Sequence, residues 1–562
     1  MTMRHEAKTN AFGKLRVGCT MLVCAVLGAP IFGHAQELPS DKACESRKND
    51  SVDKLVECIR QDALWRHMIA FQRIADENPG PDGHPSRNVG EPGYKASVDY
   101  VERLMKQAGY RVTVQRYTVP YFNVKGTPKF SELSPIRNEY TVGQDWYVAY
   151  NSGEATLTAA VQPVGGIIIP ATGGSQSGCS STDFVGFLRG RIALIQRGGC
   201  PFDTKVANAV SAGAAAVIIF NEGDSVIHLA TPRGSVSIVA SVPVILASYA
   251  LGADLYQQSV SQTSPVVHLH IRTIVDPTRE DYNLIADAPF GDPNHVVVVD
   301  AHLDAIFGAG ILDNASGSST ILEVALKMAK TPTRNQLRFI WFGGEEIGLF
   351  GSHYYTQTLT PAELSRIVFD LDADDTATPN FDIIVVDPAG ASNAGSFPPN
   401  VVPASQLGNA YFSEWGATAG VPVYSCPAFC PLGPVGNDGT DSNSFSLVGV
   451  PNAGIATLQN CCKSQIEVDV WGGVVGNYEG HVPGFDGGCV DYPGRWCDNL
   501  SNADPHLLEL ISKGVAYVTF KLANDASLNP REESAAARDL QRAGLDSPAR
   551  SRRSKSQAYL IE

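Results

Sequence analysis

The stretch HVVVVDAHLDAIFGAGILDNASGSSTILEVALKMAK (295–330) decides the fold. Its first residues form a short β-branched run of the kind buried in a sheet. Its last ten, ILEVALKMAK (321–330), are amphipathic at helical spacing. Further along, LRFIWF (337–342), RIVFD (366–370) and FDIIVV (381–386) are again short and apolar. Strands alternating with helices predict an α/β fold, a mostly parallel mixed sheet covered by helices on both faces. The sheet-forming pattern runs from 282 to 525. It closes in a helix that Asp504 can cap and Pro505 can start, with Leu508, Ile511, Val515, Val518 and Leu522 on one face.

Polar residues gather where these strands end. His302 and Asp304 follow the first strand, and Asp313-Asn314 precede its helix. Glu345 and Glu346 follow LRFIWFGG, and Asp370 closes RIVFD. Ligands of open α/β sheets bind beyond the carboxyl ends of strands, so the four groups can share one crevice. An HxD or an EE pair alone is ordinarily structural or a solvated surface. In this order, after successive strands, they form one set. Crowded carboxylates repel unless cations neutralise them, and an imidazole with carboxylates suits zinc. A carboxylate between two ions can bridge them, and a free Glu beside them can take a proton from water.

Upstream, 52–75 and 96–109 read as helices, and RVTVQRYTV (111–119) alternates as a strand. Residues 150–275 differ in texture, with apolar strands, Gly-rich turns and no grouping of His with carboxylates. Positive residues at 4–16, an apolar run at 17–33 and Ala35 read as a secretory signal peptide, with an uncleaved anchor as the other reading. Neither Cys19 nor Cys24 sits in a convincing lipoprotein box. The mature chain is expected to be secreted or periplasmic, with no membrane span. Ten cysteines remain and fall in local pairs: Cys44 with Cys58, Cys179 with Cys200, Cys426 with Cys430, Cys461 beside Cys462, and Cys489 with Cys497. Disulfides are the expected use, although the middle four can cross-pair. The expected division is signal peptide 1–35, N-terminal helices and first strands 36–149, insert 150–275, main domain 276–525 and a disordered tail 526–562. A net charge of −15 argues against nucleic acid as a partner.

The insert resembles a protease-associated (PA) domain, on GCSSTDF (178–184), RGRIALIQRGGCPFDTKVANAVSAGAAAVIIFN (189–221) and VPVILAS (242–248). The main domain resembles the secreted two-zinc aminopeptidases of the bacterial leucine-aminopeptidase type. The resemblance spans roughly 60–525 and rests on the HxD, DN and EE motifs with RIVFDLD. It implies two zinc ions. His302 would hold one and Glu346 the other, with Asp313 bridging and Asp370 as a further ligand. Glu345 would be the general acid/base, and Asp304 would orient His302. Peptides with a free N-terminus would be the substrates.

The family's fifth ligand is a His in a CYHxxCD segment. Here CVDYPGRWC (489–497) has none, and Val490 replaces the Tyr. Counting forward from Cys489 puts Asp491 in the ligand position, and counting back from Cys497 puts Gly494. His481 is the rival, and loss of the ligand is the third option. TDSNSFSLVGVPNAG (440–454) resembles the family's active-site floor, with no role assigned to Asp441. Two other readings stay open: a PA-containing metallo-carboxypeptidase, with Arg495 receiving a substrate carboxylate, and a catalytically inactive binding protein.

Overall fold

The computed structural model describes residues 39–225, 228–232, 234–237, 239–261, 263–425, 439–480 and 488–528. The main sheet comprises β1 (Arg111–Val124), β2 (Thr273–Asp287), β3 (Asp292–His302), β4 (Asn335–Phe342), β5 (Ile367–Ala373), β6 (Ile384–Val386), β7 (Tyr424–Ser425) and β8 (Asn452–Ala456). Their order is β1-β2-β4-β3-β5-β8-β6-β7. β3 runs parallel to β4 and β5, β5 to β8 and β6 to β7, whereas β1 with β2, β2 with β4 and β6 with β8 pair antiparallel. The sheet is therefore mixed, with a parallel centre.

Side-chain alternation decides what each face carries. Val297, Val299 and Ala301 of β3 and Phe369, Leu371 and Ala373 of β5 join the larger core. Helices Gln61–Glu77, Pro92–Ala108, Ser316–Met328 and Pro505–Asn524 supply its other half, through residues such as Phe71, Val101, Leu322 and Ile511. The opposite face is smaller: Val296, Val298, Ile340 and Phe342 pack with Tyr355 and Phe445. On this face Asp300 and His302 take the next two positions of β3. Helix Pro505–Asn524 starts as its sequence predicts, with Asp504 accepting from the His506 and Leu507 amides.

Between β1 and β2 the chain builds a second eight-stranded sheet. Strands Ala155–Pro163, Ile192–Gln196, Ala216–Phe220 and Val244–Ala247 are its parallel centre. Strand Lys129–Ser134 pairs with Val266–Ile271, and Trp146–Val148 with Val244–Ala247. The inserted sheet thus takes in residues before 150, earlier than the change of texture suggests. The reason is pairing: these short strands are polar or aromatic, and the partners that tie them to the inserted sheet lie about a hundred residues on.

Disulfides join Cys44 to Cys58, Cys179 to Cys200 and Cys489 to Cys497, and Cys462 is also disulfide-bonded. Cys426, Cys430, the side chain of Cys461, the N-terminal segment 1–38 and the tail beyond 528 lie outside the described residues. Among the described residues no helix is long and apolar enough to cross a membrane.

Candidate active site

β4, β3 and β5 are neighbours, and their carboxyl ends carry the polar groups. His302 is the last residue of β3 and pairs in register with Phe342, the last of β4. Glu345 and Glu346 follow Phe342 after two glycines, which brings them beside the imidazole. His302 Nε2 stands 2.9 Å from Asp313 Oδ1, 3.4 Å from Asp374 Oδ1 and 3.9 Å from Glu345 Oε2. On its other side Nδ1 faces the Asp304 backbone oxygen at 3.2 Å and Asp304 Oδ1 at 3.6 Å. Asp304 Oδ1 also accepts the Glu345 amide at 3.3 Å. Asp304 thus touches both the imidazole and the backbone of the candidate base.

Two sets of potential ligand atoms lie within 4.8 Å of one another: His302, Asp313 and Glu346, and Asp313, Asp374 and Asp375. Asp313 belongs to both. Buried oxygens of Asp374 and Asp375, both in the second set, have no hydrogen-bond partner among the described residues. Buried oxygens without donors are what a bound cation satisfies, so the donor set fits a divalent ion.

The electrostatics agree. Burial pushes the Asp313 carboxyl up to about 8, helped by Asp374 and Asp491. Burial, then Asp491 and Asp313, raises Glu346 well above the usual carboxylate range. Glu345 is raised by burial, against the pull of His302. Burial works against an imidazolium at His302, yet Glu345 and Asp374, with Asp304 and Asp313 bonded to it, raise it well above its ordinary value. So much negative charge in one place holds protons unless cations replace them.

Asp370 is not in this group. It pairs in register with Val298, four residues before His302. At 3.3 Å per residue that is about 13 Å down the strand. Its carboxyl neighbours that of Asp300 instead. Three aspartates in DLDADD share a face by alternation, and Asp374, the one just past the strand end, meets His302. The period of two marks the right face, but only strand length and register tell which of the three reaches the centre.

Asp491 is near the centre, since its charge bears on Glu346, Asp313 and Asp375. It adopts a left-handed φ of 53° within the loop closed by Cys489–Cys497. His481 lies outside the described residues, and Gly494 carries no ligand atom. Val490 is buried in the main core. Arg495 is occupied: it donates to the backbone oxygens of Gly143 and Gly488 and lies 3.8 Å over the Tyr492 ring.

Two residues that sequence reading did not single out hold the loop before Asp313. Asp498 accepts the Leu312 and Asp313 amides at 2.8 and 3.1 Å, and burial lifts its carboxyl to about 7. Buried Arg87 donates to the backbone oxygens of Leu303 and Ala309, both at 2.7 Å, and of Gly310 at 2.5 Å. Gly310 has φ 57°, and a Cβ there would come within 2.3 Å of Ala305 Cβ. The insert departs from expectation as well, because Glu222, Asp224 and His228 do come together on its half-exposed rim.

Comparison with known proteins agrees with this geometry. The model of peptidase family M28 matches residues 283–519, and that of the PA domain matches 158–255. An aminopeptidase of Pseudomonas aeruginosa is 34% identical over 498 residues, covering 87% of this chain and 86% of that one. A probable lipoprotein aminopeptidase of Mycobacterium tuberculosis is 29% identical over 476 residues, covering 83% and 86%. The fold is shared with an aminopeptidase from Aneurinibacillus sp. strain AM-1 (TM-score 0.56, 21% identity, 86% of this chain and 98% of that one). It is also shared with a zinc aminopeptidase from Bacillus subtilis (TM-score 0.56, 20% identity, 85% and 98%). The imidazole–carboxylate centre at the strand ends, the PA insert and a relationship running almost the whole length lead to one assignment: the chain belongs to peptidase family M28 and is a metallopeptidase.

Proposed function

We propose that this peptidase is an exported aminopeptidase that removes N-terminal residues from peptides and works with two zinc ions. One ion would be held by His302, Asp313 and Asp374, the other by Asp313, Glu346 and Asp491. The observation that carries the reading is that Asp313 stands with Asp374 against the His302 imidazole and also clusters with Glu346, while Glu345 lies beside them. Zinc in these positions supplies Lewis acidity, polarising the scissile carbonyl and lowering the pKa of water to about 7. The chain's own residues do the rest. Glu345 Oε2 takes a proton from the attacking water and returns it to the departing amine. Asp304 fixes the imidazole and the Glu345 backbone, so neither must reorient during the reaction. Asp498 and Arg87 hold Asp313 and its loop in position. Surplus carboxylate charge attracts an α-ammonium, which accounts for a free N-terminus as the recognition element. Export is supported by the N-terminal sequence and by the disulfides, which persist in oxidising compartments.

A carboxypeptidase reading is less favoured, because Arg495 spends its donors on backbone carbonyls. An inactive binder is less favoured, because Glu345 stands 3.9 Å from the imidazole, where a base is needed. The test is zinc content together with hydrolysis of leucine p-nitroanilide and its N-acetyl form. Two zinc ions per chain and cleavage of the free amine alone are expected. Equal cleavage of the acetylated compound would overturn the aminopeptidase reading.

A further inference from the structure

Beside the centre, one cavity of about 630 Å³ is walled by both domains. That falls within the range of about 300–1,000 Å³ that encloses a small ligand. Ile347 and Asp491 bring it to the catalytic centre, for Ile347 directly follows Glu346 and the Asp491 charge bears on Glu346. Arg197 and Asn221 bring it to the insert. These two residues follow the parallel strands Ile192–Gln196 and Ala216–Phe220, whose last residues are in register. Tyr147 and Tyr150 add apolar wall between.

Arg197 is half-buried, and its guanidinium has one side-chain partner, Asn221 Oδ1 at 3.3 Å. Among the described residues no carboxylate lies within 4 Å of it. The other charged groups of the wall are engaged. Asp82 accepts the Trp496 indole N–H at 2.9 Å, and His228 is bonded to Asp224. A half-buried guanidinium with most of its five donors unspent is a receptor for a planar oxyanion, and a carboxylate fits it in two parallel bonds. The cavity wall is therefore bipolar, with Asp491 on the side of the catalytic centre and the Arg197 cation on the insert. A zwitterionic peptide has the matching polarity.

We propose that Arg197 receives the C-terminal carboxylate of short peptides whose N-terminus lies at the catalytic centre, so that the insert selects substrates of a few residues with a free C-terminus. This rests on the aminopeptidase reading above and names its substrate class. Arg197 is a binding residue here and takes no part in the chemistry.

The test compares Leu-Gly-Gly, its C-terminal amide, Leu-Gly-Glu-amide and leucine p-nitroanilide on the full chain and on the Arg197→Gln and Arg197→Lys variants. A charge-assisted pair predicts kcat/KM for the free acid about tenfold to a hundredfold above the amide, the difference lying in KM. In Arg197→Gln the ratio should fall to near one while nitroanilide turnover stays unchanged, which also reports an intact centre. Arg197→Lys should restore part of the preference. Equal rates on acid and amide in the natural chain, or a preference that survives Arg197→Gln, would overturn the proposal. Leu-Gly-Glu-amide matching the free acid would overturn it in favour of an acidic side chain as the occupant. Failure to cleave any of the four would instead defeat the aminopeptidase reading.

Discussion

β3 and β5 carry two groups of buried acids, and they differ in kind. At the strand ends Asp313, Asp374, Glu345 and Glu346 gather about His302, next to Ile347 in the wall of a cavity. Two to four residues back along the same strands, Asp300 and Asp370 neighbour each other, with Asp372 and Asp441 as further acid neighbours. Asp300 and Asp370 are fully buried, and no donor from another residue reaches their oxygens among the described residues. Asp313, Glu345 and Glu346 of the outer group and both inner aspartates are raised, with burial the first cause in each. In the inner pair burial, with the neighbouring acids, favours the protonated form. The outer group has an imidazole, two ligand sets and access for substrate. Acid density alone does not mark a metal centre; position relative to the strand end does.

Substitutions can break or sharpen this contrast. The largest effect belongs to the base. Glu345→Gln should lower kcat by about 10²–10⁴-fold with zinc content intact, measured by plasma mass spectrometry beside the assay. Unchanged turnover would remove Glu345 from the chemistry. Next, Asp374→Asn should lose an ion and most activity, whereas Asp370→Asn should keep both. The reverse pattern would restore Asp370 as the ligand and erase the contrast. Asp304→Asn should weaken zinc affinity by about 10–100-fold, read by titration with a chelator, since it supports the imidazole without being a ligand.

The smallest effect is on stability and belongs to the inner pair. Burial, then Asp370, Asp372 and Asp441, raises Asp300 above its unfolded value; burial, then Asp372, raises Asp370. The folded chain therefore binds more protons than the unfolded chain above about pH 4, and stability falls as pH rises through the folded-state range. Asp370→Asn removes this burden. At pH 8 it should be more stable than the natural chain by about 1–4 kcal/mol, and near pH 4 no more stable, by urea denaturation at both pH values. A variant less stable at pH 8 would mean that the pair holds a cation rather than a proton.

The α/β order, the last helix with its cap and the run of His302, Asp313, Glu345 and Glu346 were legible because each follows from local pattern. Hydrophobic periodicity shows where a strand ends, and these residues stand beside such ends. Asp374 was not legible, since Asp370, Asp372 and Asp374 share one face and only pairing with β3 tells them apart. Arg87 and Asp498 were hidden for a related reason: they act on backbone groups more than 180 residues away. Arg495 was the arginine singled out as a receptor, but the fold commits it to backbone carbonyls, whereas Arg197, not singled out, lines the cavity.

The linear chain by itself determined the fold class, through short-range periodicity, and it carried the motifs by which the insert and the centre resemble known families. Tertiary structure alone decided which aspartate meets His302, where the inserted sheet begins and which arginine faces the cavity. Those depend on strand register and on contacts between distant segments, and no local pattern carries that information.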